Sequence, residues 1–324
     1  MEKDKNIIFD KDVSLEILNL KKIAIIGYGN QGRAQALNLK DSELEVKVGL
    51  RTSSFSLDKV KNDGLEAMLI KDAVKWADII SILLPDKNIS SAYNNHILPY
   101  LSKGKTVLFS HGYNIHYNKI DLVKDINVIM VAPSAGGNIV REEYKKNYGV
   151  PTLLAVHQDY TGDSWEITKA YAKAIGGTKV CAFISTFKEE TETDLFGEQA
   201  ILTGGLPFLV KSAYNTLVEN GYSKTVAWFV CYYELKTIVD LFHKNGFEEF
   251  YKLISDTARY GGITRGKYLI DDNFERKLKK MINSIKGGDF DKELSKNNDS
   301  NKVPDSFKDI ISSTKKIFDI INKN

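Results

Sequence analysis

The sequence predicts an α/β protein in which a doubly wound parallel sheet is followed by an all-helical region. Two observations favour this class. The first half alternates short apolar runs with segments of helical spacing, as strands and crossover helices do. Beyond about residue 185 the strand signal disappears, and apolar residues follow helical spacing to about residue 290.

The predicted strands are short apolar runs separated by helical segments. The run IAIIG has the continuous apolar character of a strand buried on both faces, and RAQALNLKDS follows it with helical spacing. The later strands are predicted in VKVGLR at 46–51, AVKWADIISILLP at 73–85, KTVLFSHG at 105–112, NVIMVAPS at 127–134 and TLLAVHQD at 152–159.

The junction between the first strand and its helix has the spacing G-x-G-x-x-G, formed by Gly27, Gly29 and Gly32. Gly27 permits a tight turn, Gly29 lets backbone amides approach a pyrophosphate, and Gly32 lets the helix pack closely on the strand. Glycines also serve turn geometry alone, so the pattern by itself is weak. The flanking strands favour a Rossmann dinucleotide-binding turn.

The second strand ends about 20 residues after this turn, where such a unit recognises the ribose of its cofactor. NAD selection usually uses Asp or Glu at this point, whereas this strand ends in Arg51 and continues into hydroxyl side chains that include Ser54 and Ser56. A guanidinium and hydroxyls suit a 2′-phosphate. The alternative is a solvated basic loop. The position favours NADPH over NADH.

Composition excludes several partner classes. The 324 residues carry 45 basic and 42 acidic side chains, for a net charge of +3, which is too balanced to indicate nucleic-acid binding. Neither a membrane-length apolar run nor a signal peptide is expected, since MEKDKNIIFDKD is acidic and polar. Cys181 and Cys231 have no metal-site spacing and are typical of reduced thiols, so a cytoplasmic location is predicted.

The segment TFKEETETDLFGEQ at 186–199 is unusually acidic. A charge run most often marks a solvated helix face. Here Phe187 and Leu195 need a core, so some carboxylates must lie near it. Asp194 and Glu198 are four residues apart on one helical face and could present oxygens to Mg²⁺, which typically takes one or two carboxylates.

These motifs together resemble the short form of ketol-acid reductoisomerase over roughly residues 10 to 290. The shared segments, in order, are GYGNQGRAQALNLKDS, VGLRTSSFS, LLPD, HGYNIHY, KEETETDLFGEQ, YYELKTIVDL and SDTARYG. The resemblance implies a knotted helical carboxyl-terminal domain and active sites completed across a homodimer or higher homo-oligomer. It also implies that NADPH and Mg²⁺ convert an acetohydroxy acid, a small carboxylate, into a dihydroxy acid by alkyl migration followed by hydride transfer.

The domain boundaries predicted from pattern and resemblance are 1–185 for the NADP-binding Rossmann domain and 186–295 for the helical domain. Residues 296–324 are predicted as a polar linker followed by a peripheral amphipathic segment, with no chemistry assigned.

The resemblance also assigns site residues by motif. His111, which on its own would more often be structural, becomes the active-site histidine, with Glu190 beside the first-metal ligands Asp194 and Glu198. Ser255 matches a substrate-binding serine. The cofactor positions are Gly27, Tyr28, Gly29, Asn30, Gln31 and Gly32 on the turn, Arg51, Ser54 and Ser56 on the phosphate loop, and Asp86 and Gly137 as further contacts.

Several positions depart from the family pattern. The active-site lysine is replaced by Ser134, which cannot supply a positive charge, and the pair of second-metal glutamates reads Val230 and Glu234. Arg33 and Gln35 stand where the family usually has histidines, and Arg259 stands near Ser255 in place of a glutamate. Arg33 and Arg259 could meet an anionic substrate, although surface arginines are the commoner explanation.

Because alkyl migration depends most on a dinuclear metal site, these departures favour an NADPH-dependent reductase of a small 2-keto or imino acid, with isomerisation weakened or lost. One Mg²⁺ ion is expected, with the second in doubt. Three alternatives remain open. They are an authentic ketol-acid reductoisomerase of valine and isoleucine synthesis, a non-catalytic NADPH-binding homologue, and a structural homo-oligomer.

Overall fold

The computed structural model describes residues 5–297 and 302–322 and separates into two compact units, which meet in sequence between Thr191 and Glu192. The predicted boundary at 185/186 falls just before the helix that carries the acidic segment, whereas the compact units divide within that helix.

Strands occur only in the first unit among the described residues. They are β1 Ile7–Ile8, β2 Ile23–Ile26, β3 Val46–Leu50, β4 Glu66–Leu69, β5 Ile79–Ile82, β6 Thr106–Phe109, β7 Asn127–Pro133, β8 Thr152–Gln158 and β9 Ala182–Ile184. The helices of this unit are α1 Asn30–Asp41, α2 Leu57–Asn62, α3 Ile70–Trp76, α4 Asp86–Ala92, α5 Tyr113–His116, α6 Gly137–Lys145 and α7 Ser164–Ala174.

The helix α8 Phe187–Gly197 crosses from one unit to the next. The helices that follow are α9 Gly205–Glu219, α10 Lys224–Trp228, α11 Glu234–Leu253, α12 Asp256–Leu269, α13 Asp272–Lys286, α14 Asp289–Lys296 and α15 Lys308–Ile321. Short 3₁₀ turns span Asp10–Asp12, Glu16–Leu18, Leu98–Tyr100 and Asp305–Phe307, and π-helical turns span Tyr93–Ile97, Glu198–Leu202 and Phe229–Tyr233.

The strands of the described residues form one nine-stranded sheet in the order β1-β9-β8-β7-β6-β5-β2-β3-β4. Six neighbouring strands of this sheet are parallel, in the order β4-β3-β2-β5-β6-β7. This is the Rossmann order, and it confirms the predicted doubly wound sheet. Alternate residues of β2 enter two separate cores, with Ile23 and Ile25 on one face and Ala24 and Ile26 on the other. This two-sided burial explains the unbroken apolar run of IAIIG.

The predicted strand at 152–159 lies in the same sheet but runs antiparallel to β7, which the predicted parallel sheet did not include. Pro133 is opposite Thr152 in the ladder, and the Ser134 amide donates to the Pro151 carbonyl at 2.8 Å. The chain therefore leaves the sheet at the end of β7, passes through α6, and returns at the start of β8, directly beside the point where it left. β9 then pairs in parallel with β8, and β1 in antiparallel with β9.

The second unit has a small core around Trp228. The buried apolar residues of this core are Val210, Tyr214, Ala227, Trp228 and Ile310. Among the described residues, those of α11 and α12 are all at least partly exposed, and α11 is interrupted at Gly246, where φ is 71°. Within the described residues, no helix has the length and apolar character needed to cross a membrane.

The helix α15 belongs to this core, although the sequence suggested a peripheral segment. Ile310 is buried with Val210 and Trp228. The indole Nε1 of Trp228 donates to the Thr314 hydroxyl at 2.8 Å, and the hydroxyls of Tyr214 and Ser313 are 2.9 Å apart. The predicted polar linker between α14 and α15 includes residues 298–301, which lie outside the described residues.

Candidate active site and cofactor site

The carboxyl ends of the parallel strands bring the predicted site residues of the first unit to one edge of the sheet. Gly27 follows β2, Asp86 follows β5 at the start of α4, and His111 follows β6. Ser134 follows β7 and is exposed. Ligands of open α/β sheets bind in the crevice at this edge, where the strand order reverses.

The glycine turn has the geometry that the spacing predicts. Gly27 has φ +99°, and a Cβ there would lie 2.8 Å from the Leu83 carbonyl oxygen. A Cβ on Gly32 would lie 2.4 Å from the Gly27 oxygen, so Gly32 allows close packing. At Gly29, by contrast, no described atom lies within 4 Å of such a Cβ. Open space thus adjoins the amino terminus of α1, as a bound pyrophosphate requires.

A cavity of about 410 Å³ adjoins the turn. Its lining includes Gly27 and Tyr28 from the turn and Arg51, Ser54 and Ser56 from the loop after β3. Within that loop, the Ser54 amide donates to the Arg51 carbonyl at 3.2 Å, and the Ser56 amide donates to the Ser54 hydroxyl at 3.3 Å. Positive charge and hydroxyls therefore face the same space as the pyrophosphate turn, which fits the adenosine 2′-phosphate half of NADPH.

Three of the predicted cofactor positions also make structural contacts. A Cβ on Gly137 would lie 2.2 Å from the backbone oxygen of Asn30, so Gly137 lets the start of α6 approach the start of α1. The Gln31 side-chain amide donates to the Ala135 carbonyl at 2.8 Å. This bond ties the helix after the glycine turn to the loop that contains Ser134.

His111 and Glu190 form a directly bonded pair. The His111 Nδ1 and Glu190 Oε1 atoms are 2.8 Å apart, and Glu190 is 3% exposed. The other carboxylate oxygen accepts from the Gly112 amide at 2.7 Å and from the Thr191 hydroxyl at 3.3 Å. A Cβ on Gly112 would lie 2.5 Å from the Phe187 oxygen, so only glycine allows this approach. Glu190 therefore orients the imidazole through Nδ1.

Asp86 lies within electrostatic reach of this pair. Burial raises the pKa of Asp86, the His111 charge opposes the rise, and the Glu190 charge adds to it. The Asn114 side-chain amide donates to the Asp86 backbone carbonyl at 3.2 Å. The sequence assigned Asp86 to the cofactor alone; its proximity to the histidine–carboxylate pair was missed, because no local spacing connects these residues.

A buried polar network lies behind the turn. The Gln35 side-chain nitrogen donates to the Ser110 hydroxyl at 3.0 Å and to the Gln31 side-chain oxygen at 3.1 Å. The Tyr171 hydroxyl donates to the Gln35 oxygen at 3.0 Å. Gln35, one of the departures from the family pattern, thus connects α1 with the residue before His111.

The candidate metal ligands Asp194, Glu198 and Glu234 are exposed carboxylates of the second unit. Glu198 begins one π-helical turn, and Val230 lies in another that ends just before Glu234. Such turns are frequent at functional sites. Within residues 5–297 and 302–322, no three His, Cys, Asp or Glu side chains converge on one ion position. These ligands therefore stay a prediction, and their carboxylate chemistry suits Mg²⁺ with water completing the shell.

Three other residues that the sequence assigns to possible substrate contacts make local contacts in the structure. The Ser255 hydroxyl caps α12 by accepting from the Ala258 amide at 3.2 Å. Arg259 pairs with Asp256 one helical turn away, and Arg33 makes a bidentate pair with Asp63. Both arginines therefore have carboxylate partners within their own units.

Comparison with known proteins matches both units. Residues 17–181 match the NADPH-binding domain model of acetohydroxy acid isomeroreductase, and residues 187–321 match the carboxyl-terminal domain model of ketol-acid reductoisomerase. The ketol-acid reductoisomerase (NADP(+)) of Methanocaldococcus jannaschii is 49% identical over 289 residues, which cover 89% of this chain and 88% of that protein.

Solved structures agree. An NADH-preferring ketol-acid reductoisomerase from an uncultured archean superposes with a TM-score of 0.86 at 38% identity, covering 98% of this chain and 95% of the other. A semialdehyde dehydrogenase NAD-binding protein from Cupriavidus necator has a TM-score of 0.63 at 18% identity, covering 82% and 98%, and is similar in fold alone. The chain therefore belongs to the ketol-acid reductoisomerase family, and its first unit is the family's NADPH-binding domain.

Proposed function

We propose that this chain is an authentic ketol-acid reductoisomerase, which uses NADPH and Mg²⁺ to convert an acetohydroxy acid into a dihydroxy acid in branched-chain amino acid synthesis. The observation that carries this proposal is the 49% identity to the Methanocaldococcus jannaschii enzyme across both domains. The sequence alone favoured a reductase with weakened isomerisation; the relatives support the authentic enzyme better.

His111 and Glu190 form the proton-handling pair in this proposal. Because the Glu190 carboxylate is held by the Gly112 amide and the Thr191 hydroxyl, it stays directed at the imidazole Nδ1. The carboxylate stabilises the protonated imidazole, so His111 can accept a proton from a substrate hydroxyl and return it to a developing alkoxide. The glycine turn and the Arg51 loop bind the cofactor beside this edge of the sheet.

Asp194 and Glu198 would hold Mg²⁺, with Glu234 as a ligand from the partner copy. Bound there, Mg²⁺ would supply Lewis-acid polarisation of the substrate oxygens. Ser255 is proposed as a substrate contact through its hydroxyl or its helix amino terminus.

The reductase with weakened isomerisation remains the second candidate, because Ser134 and Val230 still depart from the family pattern. A neutral hydroxyl replaces the ammonium group, and valine offers no atom to a second metal ion. Both changes remove groups on which the alkyl migration depends more strongly than the hydride transfer does.

Two substrates separate these candidates. 2-Acetolactate requires migration and reduction, whereas 3-hydroxy-3-methyl-2-oxobutyrate requires reduction alone. With NADPH and Mg²⁺ we expect the purified protein to oxidise NADPH with both and to form dihydroxyisovalerate from 2-acetolactate. Turnover of the second substrate alone would support the reductase. Tight NADPH binding without turnover of either would support the non-catalytic homologue.

Restoring the family residues provides a matched control for this assay. If the departures limit migration, Ser134→Lys together with Val230→Glu raises the 2-acetolactate rate more than the rate with the rearranged keto acid. If neighbouring groups already compensate, both rates change by the same factor.

A homo-oligomer is proposed on the apolar surface of the second unit. Large apolar side chains stand exposed on its long helices, among them Phe247, Leu253, Tyr260, Tyr268 and Leu269. Exposed apolar area of this kind is typical of a protein interface. Gel filtration with light scattering should give a dimer or larger species whose Tm rises with protein concentration, whereas a monomer at all concentrations would refute the proposal.

We further propose a cytoplasmic location and no nucleic-acid or membrane partner. Cys181 and Cys231 are unpaired, and burial raises the pKa of both thiols, which keeps them protonated and unreactive. Cell fractionation with an antibody against the chain tests the location.

A further inference from the structure

We propose that Asp63 is a positioning residue for the cofactor phosphate loop, because it clamps the end of α2 onto α1 and so holds the loop between Arg51 and Ser56 in place. This inference rests on the NADPH site proposed above. The clamp comprises Tyr28, Arg33, Lys40 and Asp63, and it lies entirely within the first unit.

The clamp is made of direct polar contacts. Arg33 approaches the carboxylate with two nitrogens, Nε at 2.6 Å from Oδ2 and Nη2 at 2.7 Å from Oδ1. The Tyr28 hydroxyl donates to Oδ2 at 2.8 Å. Lys40 Nζ donates to the backbone carbonyls of Asp63 and Gly64 at 3.0 and 2.9 Å. Bidentate guanidinium–carboxylate pairs are among the strongest and most directional hydrogen-bonded contacts in proteins.

The loop has few other anchors on its carboxyl-terminal side. Between Arg51 and Lys59 the side chains are exposed or only half-buried, and Val60 is the buried residue of the six-residue helix α2. Helices this short are unstable without tertiary contacts. β3 holds one end of the loop, and Val60 and the clamp hold the other before the chain reaches Leu65 and β4.

The protonation states suit the clamp at neutral pH. The hydrogen bond from Arg33 lowers the pKa of Asp63, so the carboxylate stays ionised. Burial, with the bond to Asp63, raises the pKa of the Tyr28 phenol, so it keeps the proton that it donates. Tyr28 also lines the cofactor cavity with Arg51, which connects the clamp directly to the ligand space.

The test is Asp63→Asn, which removes the charge-assisted pair while keeping a similar shape. We expect the Kd values of NADPH and 2′,5′-ADP, measured by fluorescence titration and calorimetry, to rise about tenfold, and that of NADH to change less than about twofold. Simple electrostatics predicts the opposite sign, because removing a negative charge near a phosphate site would tighten binding.

Matched variants separate positioning from general destabilisation. Asp58→Asn removes the same charge from the exposed start of α2 and is expected not to weaken NADPH binding. Arg33→Lys keeps the charge but loses the guanidinium fork, so an intermediate loss of about threefold is expected. The controls are the Kd values of the wild-type protein for all three ligands and the Tm of every variant.

Two results would overturn the inference. Unchanged NADPH affinity in Asp63→Asn would show that the loop does not need the clamp, and equal weakening of all three ligands would show a general structural role. If the wild-type protein itself bound neither NADPH nor 2′,5′-ADP, the proposed cofactor would fail first, and the inference with it.

Discussion

The two units of the chain differ in how completely they bury their apolar side chains. In the first unit, β2 is buried along its whole length, with alternate residues in two cores. In the second, the described residues of α11 and α12 all keep some exposure, and large apolar side chains stand on the surface. The nucleotide-binding unit thus completes its core within one chain, whereas the helical unit presents the surface that we assign to a partner copy.

Glycines near the cofactor turn and glycines of α12 differ in the room around them. Added Cβ atoms on Gly32 and Gly137 would meet backbone atoms at 2.4 and 2.2 Å, whereas at Gly261 and Gly262 of α12 no described atom lies within 4 Å. At Gly32 and Gly137, glycine permits contacts that no other residue allows. Gly261 and Gly262 have room for a side chain.

The largest effect is expected from Glu190→Gln, which tests whether the first unit carries the proton chemistry. An amide cannot stabilise a protonated His111, so kcat should fall by about 10²- to 10⁴-fold. The NADPH Kd should stay within about twofold, because the cofactor turn is untouched. Glu189→Gln, which changes the neighbouring exposed carboxylate, is the control. A kcat loss below tenfold would remove Glu190 from the mechanism.

A large loss of stability is expected from Gly32→Ala. The new methyl group would collide with the Gly27 backbone oxygen, and the helix must move to relieve the contact. Overpacking of this kind costs about 1–3 kcal/mol. Thermal and urea unfolding should show the loss together with weaker NADPH binding. Wild-type stability in this variant would show that α1 does not pack on the turn as described.

A smaller, pH-dependent change is expected from Asp86→Asn. Because burial raises the pKa of Asp86 above 3.8, its ionised form opposes folding at neutral pH. The variant should therefore have a higher Tm than the wild type at pH 7. The difference should shrink as the pH falls through the raised pKa and vanish below 3.8, where Asp86 is neutral in both the folded and the unfolded wild-type chain. A lower Tm at pH 7 would contradict this reasoning.

The smallest effect is expected from Gly262→Ala, in the exposed helix α12. Alanine favours a helix over glycine by about 0.5–1 kcal/mol, and the site has room for it. Chemical denaturation should show a small gain in stability. A loss of stability accompanied by a smaller oligomer would instead place Gly262 in the partner interface, which would sharpen the contrast between the units.

Local pattern predicted much of the first unit. The glycine spacing, the apolar strands and the Arg51 loop all encode short-range structure, and the cavity joins them as expected. Strand direction is not encoded in an apolar run, so the antiparallel direction of β8 was not predicted.

For a similar reason, polar contacts between residues far apart in the chain could not be predicted from the sequence. The approach of Gly112 to Glu190 joins residues 78 positions apart, and nothing in either segment specifies the other. Arg33 looked available for an anionic substrate because its partner Asp63 lies 30 residues away. The packing of α15 on Trp228 was missed because an amphipathic pattern shows that a helix has a partner but not which one.

The position of α15 also bears on synthesis order. The nucleotide-binding sheet can close once residue 184 has left the ribosome, when β9 can pair with β1 and β8. Trp228 must wait for Thr314 and Phe318, about 130 residues after that point. At cellular elongation rates of ~5–20 residues per second, this leaves roughly 6–26 s in which a completed sheet is tethered to an unfinished helical core. Once Trp228 has itself emerged, its indole stays exposed to chaperones and to neighbouring nascent chains until Thr314 and Phe318 follow.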